Sequence, residues 1–422
     1  MKQGLLKKIG LGLVGVGLVG GLAACGSSND SGSGDSAEES GTKTLTVSVD
    51  QGYTEYINSI KDKFEEDNDV ELKLVEKDMF DQLEALALDG PAGKGPDVMM
   101  AAYDRIGSLG QQGHLAEVTL GNEADYDDTD KAQVTIDGKI YGEPAVIETL
   151  VLYYNKDLIS EAPETFADLE ALAQDPQYDF TSEAGKNIGF LAKWTDFYYS
   201  YGLLAGYGGY VFGEDGTDAT DVGLNTAGAV EGITYASDWF QNVWPQGMQD
   251  VTSAGDFVTT QFNDGKTAAI IDGPWAAAGY KEAGVNYGVA PIPTLDNGEA
   301  YQSFGGGKGW VVSNYSKNKD VAQKFLDYVT NQENQEAFFE ARNEIPANQK
   351  ARETANDGSD ELTTAVIEQY ANAQPAPNIP EMAEVWTGAE NLMFDAASGN
   401  KTPQQSADDS VTMITEAIEQ KY

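Results

Sequence analysis

The residues able to do chemistry in this chain are carboxylates set beside apolar or aromatic neighbours. Residues 145–154, AVIETLVLYY, form an apolar run whose one charge is Glu148. Read as a strand with period two, Val146, Glu148, Leu150 and Leu152 share a face, so the acid sits among groups that cannot solvate it. It needs a partner, and both a structural Arg or Lys and a bound ligand qualify. Asp104 and Arg105 follow the apolar run 98–102, while Asp50 and Asp78 follow two alternating stretches. In WTDFYYSY (194–201), Trp194, Phe197, Tyr198 and Tyr201 recur at helical spacing, a pattern commoner in cores than on ligand platforms. Asp196 and the Tyr hydroxyls are hard to place in a dry core. Trp275 stands in a turn, DGPW, after the apolar run 267–271, and must meet either core or ligand. Acids, a guanidinium and aromatic faces together suit recognition of neutral hydroxyls without any reaction. The alternative from another class is a glycoside hydrolase with two carboxylates such as Asp104 and Glu148, which would need them ~5 Å apart or ~6.5 to 9.5 Å apart.

The elements that must position these groups follow from periodicity. Leu45, Val47 and Val49 alternate, Tyr56, Ile57, Ile60 and Phe64 follow at helical spacing, and Val70, Leu72 and Leu74 alternate again. With a helix through Phe80, Leu83 and Leu86 and a strand at 97–101, this predicts a β-α-β-α-β unit on a parallel sheet. Ligands of such sheets bind beyond the carboxyl ends of the strands, which here carry Asp50, Asp78, Asp104 and Arg105. Singly, each could be a solvated loop charge. Further on, Thr165 with Asp168 predicts a capped helix to 174, and 188–192 a strand. Helices are expected at 226–242, 256–263, 320–330, 333–341, 362–370, 381–397 and after the Thr402-Pro403-Gln404-Gln405 box, with strands at 267–271, 285–292 and 309–312. The run FGGGKGW (304–310) lacks the Gly-Lys-Ser/Thr ending of a phosphate loop and reads as a hinge or close-packed crossing. The expected fold is α/β with two lobes joined by more than one crossing, at 143–150 and 304–309, and a ligand cleft between them. Its lobes would be 43–146 with 310–345, and 147–309 with 346–422.

Composition narrows the function classes. The formal charge is −43, with 26 basic against 69 acidic residues, which argues against nucleic acid and anionic lipid as partners. One His and one Cys cannot make a usual zinc set, so no metal and no cofactor is expected. His114, beside Gly113, reads as a loop residue. Neither Gly-x-Ser-x-Gly nor a Cys/His pairing points to nucleophilic catalysis. Residues 1–24 have a basic start, an uncharged apolar run and small residues before Cys25, the layout of a secretory signal too short and Gly-rich for a mature membrane span. Residues 26–42 are small, polar and acidic, describing a flexible tether within 25–42.

LAACG (22–26) resembles the lipobox of bacterial lipoproteins, which implies cleavage before Cys25 and acylation of its thiol. GPDVMMAAYDRIG (95–107), AVIETLVLYYNKDL (145–158), AAIIDGPWA (268–276), VNYGVAPIPT (285–294) and PNIPEMAEVW (377–386) resemble, in order, the maltose/maltodextrin-binding proteins of ABC sugar importers. The resemblance runs through nearly the whole mature chain. It implies a periplasmic-binding-protein-like receptor, not an enzyme, that closes on an α-1,4-glucan and presents it to the transmembrane subunits of a permease. It also implies a monomer, lipid-anchored at the outer face of the cytoplasmic membrane in the Gram-positive manner. By motif, the family's sugar-binding acid and guanidinium fall on Asp104 and Arg105, its hinge glutamate on Glu148, and its stacking aromatics on Tyr198, Trp275 and Trp386. Asp196 stands where members often carry Glu, and Tyr201 where some carry Trp. Ala101 replaces a Trp and Gln51 a Lys of Gram-negative members. With Glu148 at a hinge, its implied partner is a sugar hydroxyl. The same receptor fold tuned to another oligosaccharide is the nearest alternative.

Overall fold

A computed structural model describes residues 43–422 apart from Asp357 and Ser359. The leader, Cys25 and the tether lie outside the described residues, as does everything expected of them.

The first sheet begins with the expected unit. Strands β1 (Lys43–Val49), β2 (Val70–Glu76) and β3 (Val98–Ala102) are parallel, and helices α1 (Tyr53–Asn68) and α2 (Met79–Asp89) make the connections. Alternation buries Leu45, Val47 and Leu72, and the 3.6-residue period buries Tyr56, Ile57, Ile60 and Phe64 of α1. Helix α3 (Tyr103–Gln111) starts directly from the tip of β3, which places Asp104 in its first turn.

Residues 145–154 are not the continuous strand that period two suggests. Strand β4 (Glu143–Glu148) ends at the acid, and β5 (Val151–Asn155) begins after Thr149 and Leu150 in a different sheet. Each of the two strands is buried along its whole length, so hydrophobicity alone could not reveal the break. The second sheet has the order β8 (Tyr287–Ala290), β5, β7 (Ala269–Asp272), β6 (Phe190–Ala192). Helix α4 (Phe197–Gly206) follows β6 and carries the aromatic stretch, although Trp194 precedes it and is fully buried.

The run 304–310 is strand throughout. Strand β9 (Phe304–Val312) lies antiparallel between β3 and β4, pairing Gly306 with Glu148 and Gly307 with Ile147. A β-carbon on Gly307, whose φ is 156°, would stand 1.9 Å from the Val146 carbonyl oxygen, so glycine is what admits this close approach. Strand β10 (Ile345–Pro346) pairs with the other edge of β4, and the short β11 (Gln374–Pro375) lies beside β9. The first sheet therefore runs β10-β4-β9-β3-β1-β2.

Two apolar cores form, one on each sheet. Val146 belongs to the first core and Ile147 to the second; Trp310 belongs to the first and Phe304 to the second; Phe338 belongs to the first and Ile345 to the second. The chain thus passes between cores at a third place, near 338–345, close to the 345/346 boundary of the expected lobes. The helix expected at 381–397 is two short helices, Met382–Gly388 and Leu392–Ala397. The capping boxes at Thr165 and Thr402 form as their spacing requires, each side chain accepting from the backbone three residues on.

Candidate functional site: a cleft of acids and aromatic faces

Between the strand tips of the first sheet and the aromatic helix of the second lies a cleft of about 560 Å³. Asp50, Asp78, Asp104, Arg105, Glu148, Asp196, Tyr198, Trp275 and Trp386 all line it. Its first wall follows from the parallel sheet, because β1, β2 and β3 end side by side and deliver Asp50, Asp78 and Asp104 to one rim. Local structure already holds part of these acids. Asp78 caps α2 by accepting from Asp81 N at 3.0 Å, and Asp50 accepts from Met79 N at 2.6 Å. Asp104 meets Arg105 Nε at 3.2 Å. Burial pushes the Asp104 carboxyl upward, while Arg105 and the Trp386 indole favour its ionised form. The Arg105 guanidinium also lies 5.8 Å from the centre of the Phe80 ring.

The opposite wall is aromatic. Asp196 caps α4, accepting from Tyr198 N at 3.0 Å, and pairs with Lys193 at 3.1 Å. That cap turns Tyr198 into the cleft, 6.1 Å from Trp275 and 5.9 Å from Phe304 between ring centres. Trp275 is 42% exposed, costly for a side chain that could have packed in the core. Beneath it, Asp272 accepts from Tyr199 Oη at 2.8 Å, from the Tyr280 hydroxyl, and from Gly273 N at 2.8 Å, which fixes the turn. Trp386 packs edge-on against Phe304 and Phe197, at 5.7 and 5.9 Å.

Tyr201 is not in the cleft. Only 5% exposed, it stacks flat beneath Phe304 at 3.9 Å, one helical turn below Tyr198. Only the first turn of α4 reaches the ligand space, and Phe304, fully buried, lies between Tyr201 and the cleft wall.

Glu148 lies where β4 ends. Within the protein it pairs with a lysine, Lys308 of β9, at 2.6 Å, where the sequence leaves the choice between a structural cation and a ligand open. Lys308 reaches Glu344 as well, at 3.2 Å, and Glu344 in turn receives the Tyr53 hydroxyl at 2.5 Å and Arg342 Nε at 3.2 Å. Burial raises the Glu148 carboxyl, with Lys308 opposing the rise. Glu344 is buried too, yet Lys308, Tyr53 and Arg342 carry it below the usual range. Glu148 nevertheless lines the cleft, and Oε1 is the oxygen that meets Lys308. Sequence reading missed Lys308, Phe304, Phe80 and Gln133 as lining residues. The available signal for Lys308 was electrostatic: it is the one charge in FGGGKGW, and a buried cation was one of the two kinds of partner open to Glu148. His114, as expected, sits by a loop, its Nδ1 2.8 Å from the Tyr315 hydroxyl.

Among the described residues no group of three or more His, Cys, Asp or Glu is arranged to hold a metal ion, and no helix is long and apolar enough to cross a membrane. The cleft offers planar apolar faces opposite hydrogen-bonding acids, an arrangement fitted to rings that are apolar on one side and hydroxylated at the edge.

Comparison with known proteins agrees with that chemistry. The chain is 62% identical over 402 residues to the maltodextrin-binding protein of Bacillus subtilis (strain 168), covering 95% of each. Its fold is similar to that of a maltose-binding periplasmic protein from Listeria monocytogenes solved in complex with maltose, with TM-score 0.84 and 71% identity over 90% of this chain and 99% of that one. It is similar also to MalX from Streptococcus pneumoniae in complex with maltopentaose, with TM-score 0.86 and 54% identity over 88% of this chain and all, 100%, of that one. The α/β architecture with two cores and a cleft is thus the two-lobed solute-binding fold. Residues 59–372 match the family described as bacterial extracellular solute-binding protein, and the chain belongs to that family.

Proposed function

We propose that this chain is the substrate-binding lipoprotein of an ABC transporter, capturing maltose and longer α-1,4-glucans and delivering them to the transmembrane subunits of a permease. The observation that carries this reading is the convergence of Tyr198, Trp275 and Trp386 with Asp104, Arg105 and Glu148 in one cleft. Aromatic faces cover the C–H side of a glucose ring, each contributing about 0.5 to 1.5 kcal/mol beyond area. Carboxylates and the guanidinium take the ring hydroxyls through charge-assisted hydrogen bonds. Asp50 and Asp78, each with one oxygen engaged in local structure, and Asp196, held by Tyr198 N and Lys193, supply further acceptors at the rim. No bond need be made or broken for any of this, and the protein acts as a receptor rather than a hydrolase.

The lobes are 43–146 with 310–345, and 147–309 with 346–422. Ligand contacts on both walls favour a closed arrangement over an open one, since only differential contact shifts such an equilibrium. Acylated Cys25 and the acidic tether hold a monomeric receptor at the outer face of the cytoplasmic membrane. Calorimetric titration with maltose, maltotriose, longer maltodextrins, cyclodextrin, lactose and sucrose tests the reading, with maltodextrins expected to bind and lactose and sucrose not. Preference for lactose or sucrose would overturn the assignment of ligand. Incubation with maltotriose and assay of new reducing ends tests the receptor role, and catalytic turnover would sink it.

A further inference from the structure

Three segments carry the chain between the two cores, and each places one charged residue at the same point. Glu148 ends β4, Lys308 lies within β9, and Glu344 immediately precedes β10. Lys308 Nζ stands 2.6 Å from Glu148 and 3.2 Å from Glu344, with its side chain only 14% exposed. The same lysine lines the cleft together with Glu148. A lysine so enclosed would be costly without two anions against it, and no local cap or turn requires it.

We propose that Lys308 is a positioning residue for ligand binding: by pairing with Glu148 and Glu344 at once, it keeps Glu148 ionised and fixed as a hydroxyl acceptor ready for the incoming ligand. This rests on the oligosaccharide-receptor reading above. The groups facing Glu148 are Lys308 of β9, Glu344 ahead of β10, Asp50 after β1, Tyr53 of α1 and Tyr198 of α4. Lys308 is the one cation among them. Asp50 and Glu344 disfavour ionisation of Glu148, as burial does, so the lysine alone opposes all three. Arg342 sits on the far side of Glu344 and balances that second acid. Because each member belongs to a different crossing, the pairing also sets the relative position of the three strands on which any lobe movement must turn.

Maltotriose affinity measured by calorimetry between about pH 5.5 and 8.5 tests this. The wild type is expected to show a flat profile over that range. Lys308→Met removes the cation, so Glu148 takes up a proton at higher pH; affinity is expected to fall roughly tenfold or more at the acid end and to recover partly at the alkaline end. Lys308→Arg keeps the charge and should keep the flat profile. Lys308→Met with Glu148→Gln has no Glu148 carboxylate left to titrate, so the acid-end loss that Glu148 causes should vanish from its profile, at a lowered affinity. A Lys308→Met protein of wild-type affinity, or one weakened equally at every pH, overturns the inference and leaves the lysine a structural brace. Carboxyl ¹³C titration of the wild type, with Glu148 assigned from the Glu148→Gln spectrum, gives an answer even if Lys308→Met fails to fold. A midpoint well below neutrality supports the proposal, and one at or above about pH 7 overturns it. Absence of maltotriose binding by the wild type would instead count against the receptor reading, with the ¹³C titration still testing the pair.

Discussion

Tyr201 and Phe304 lie face to face, ring centres 3.9 Å apart and planes within 6°, and this stack joins the aromatic helix to the strand that crosses between the cores. Phe304 is fully buried behind the cleft wall, packed on Tyr201 as well as on the cleft residues Tyr198 and Trp386, so the tyrosine supports the binding surface without touching the ligand. Tyr201→Ala should therefore cost about 3 to 5 kcal/mol in a denaturant unfolding experiment, as for other large buried aromatics. Tyr201→Phe should be nearly neutral for both stability and maltotriose affinity. A large affinity loss in Tyr201→Phe would return the hydroxyl to the binding site.

The two cleft tryptophans should respond differently to truncation. Trp275 is 42% exposed on a turn held from below by Asp272, so Trp275→Ala should leave the unfolding midpoint nearly unchanged. Its maltotriose affinity should fall roughly tenfold or more, read by calorimetry. Trp386 packs on Phe197 and Phe304, and Trp386→Ala should lose both affinity and stability. Unchanged affinity in both variants would remove them from the site.

Gly307 tests the close crossing of β9 over β4. An added β-carbon would meet the Val146 carbonyl oxygen at 1.9 Å and the Tyr103 ring at 2.7 Å, both in the interior. Gly307→Ala should destabilise by about 3 kcal/mol or more, with Gly306→Ala as the control because nothing lies within 4 Å of where its β-carbon would stand. Equal unfolding midpoints for the two variants would contradict the crossing geometry.

Asp130 gives a pH signature in stability, although it does not itself line the cleft. It is fully buried, and burial raises its carboxyl to about 7, against the help of Arg352 and the Tyr370 hydroxyl. Its unfolded value is near 3.9, so between about pH 4 and 7 the folded state holds more of this proton, and stability falls as pH rises through that window. Asp130→Asn lacks this loss. It should be more stable than wild type at pH 8, by on the order of 4 kcal/mol, and show little difference at pH 4. An identical difference at both values would mean that Asp130 does not titrate in this range.

Much of the fold was legible because local rules and tertiary packing agree. The β-α-β-α-β start, the two capping boxes and the strand tips bearing Asp50, Asp78 and Asp104 follow from periodicity and from the side chains that satisfy helix ends. Trp275 in a turn and Asp196 in an aromatic stretch were visible as residues that a dry core would not hold comfortably. Trp386 was legible only through resemblance, since nothing in its local spacing points to a cleft.

Other features were decided only when distant segments met. A fully buried run has no face to show, so the sequence could not mark where β4 gives way to β5. Tyr198 and Tyr201 are the same residue type on one helix; Phe304, more than a hundred residues away, covers one and not the other. For Glu148, the sequence determined that a carboxylate in an apolar strand needs a partner. Tertiary structure chose Lys308, because pairing β9 with β4 brings a lysine from 160 residues farther along the chain to within 2.6 Å, where burial makes that one contact decisive.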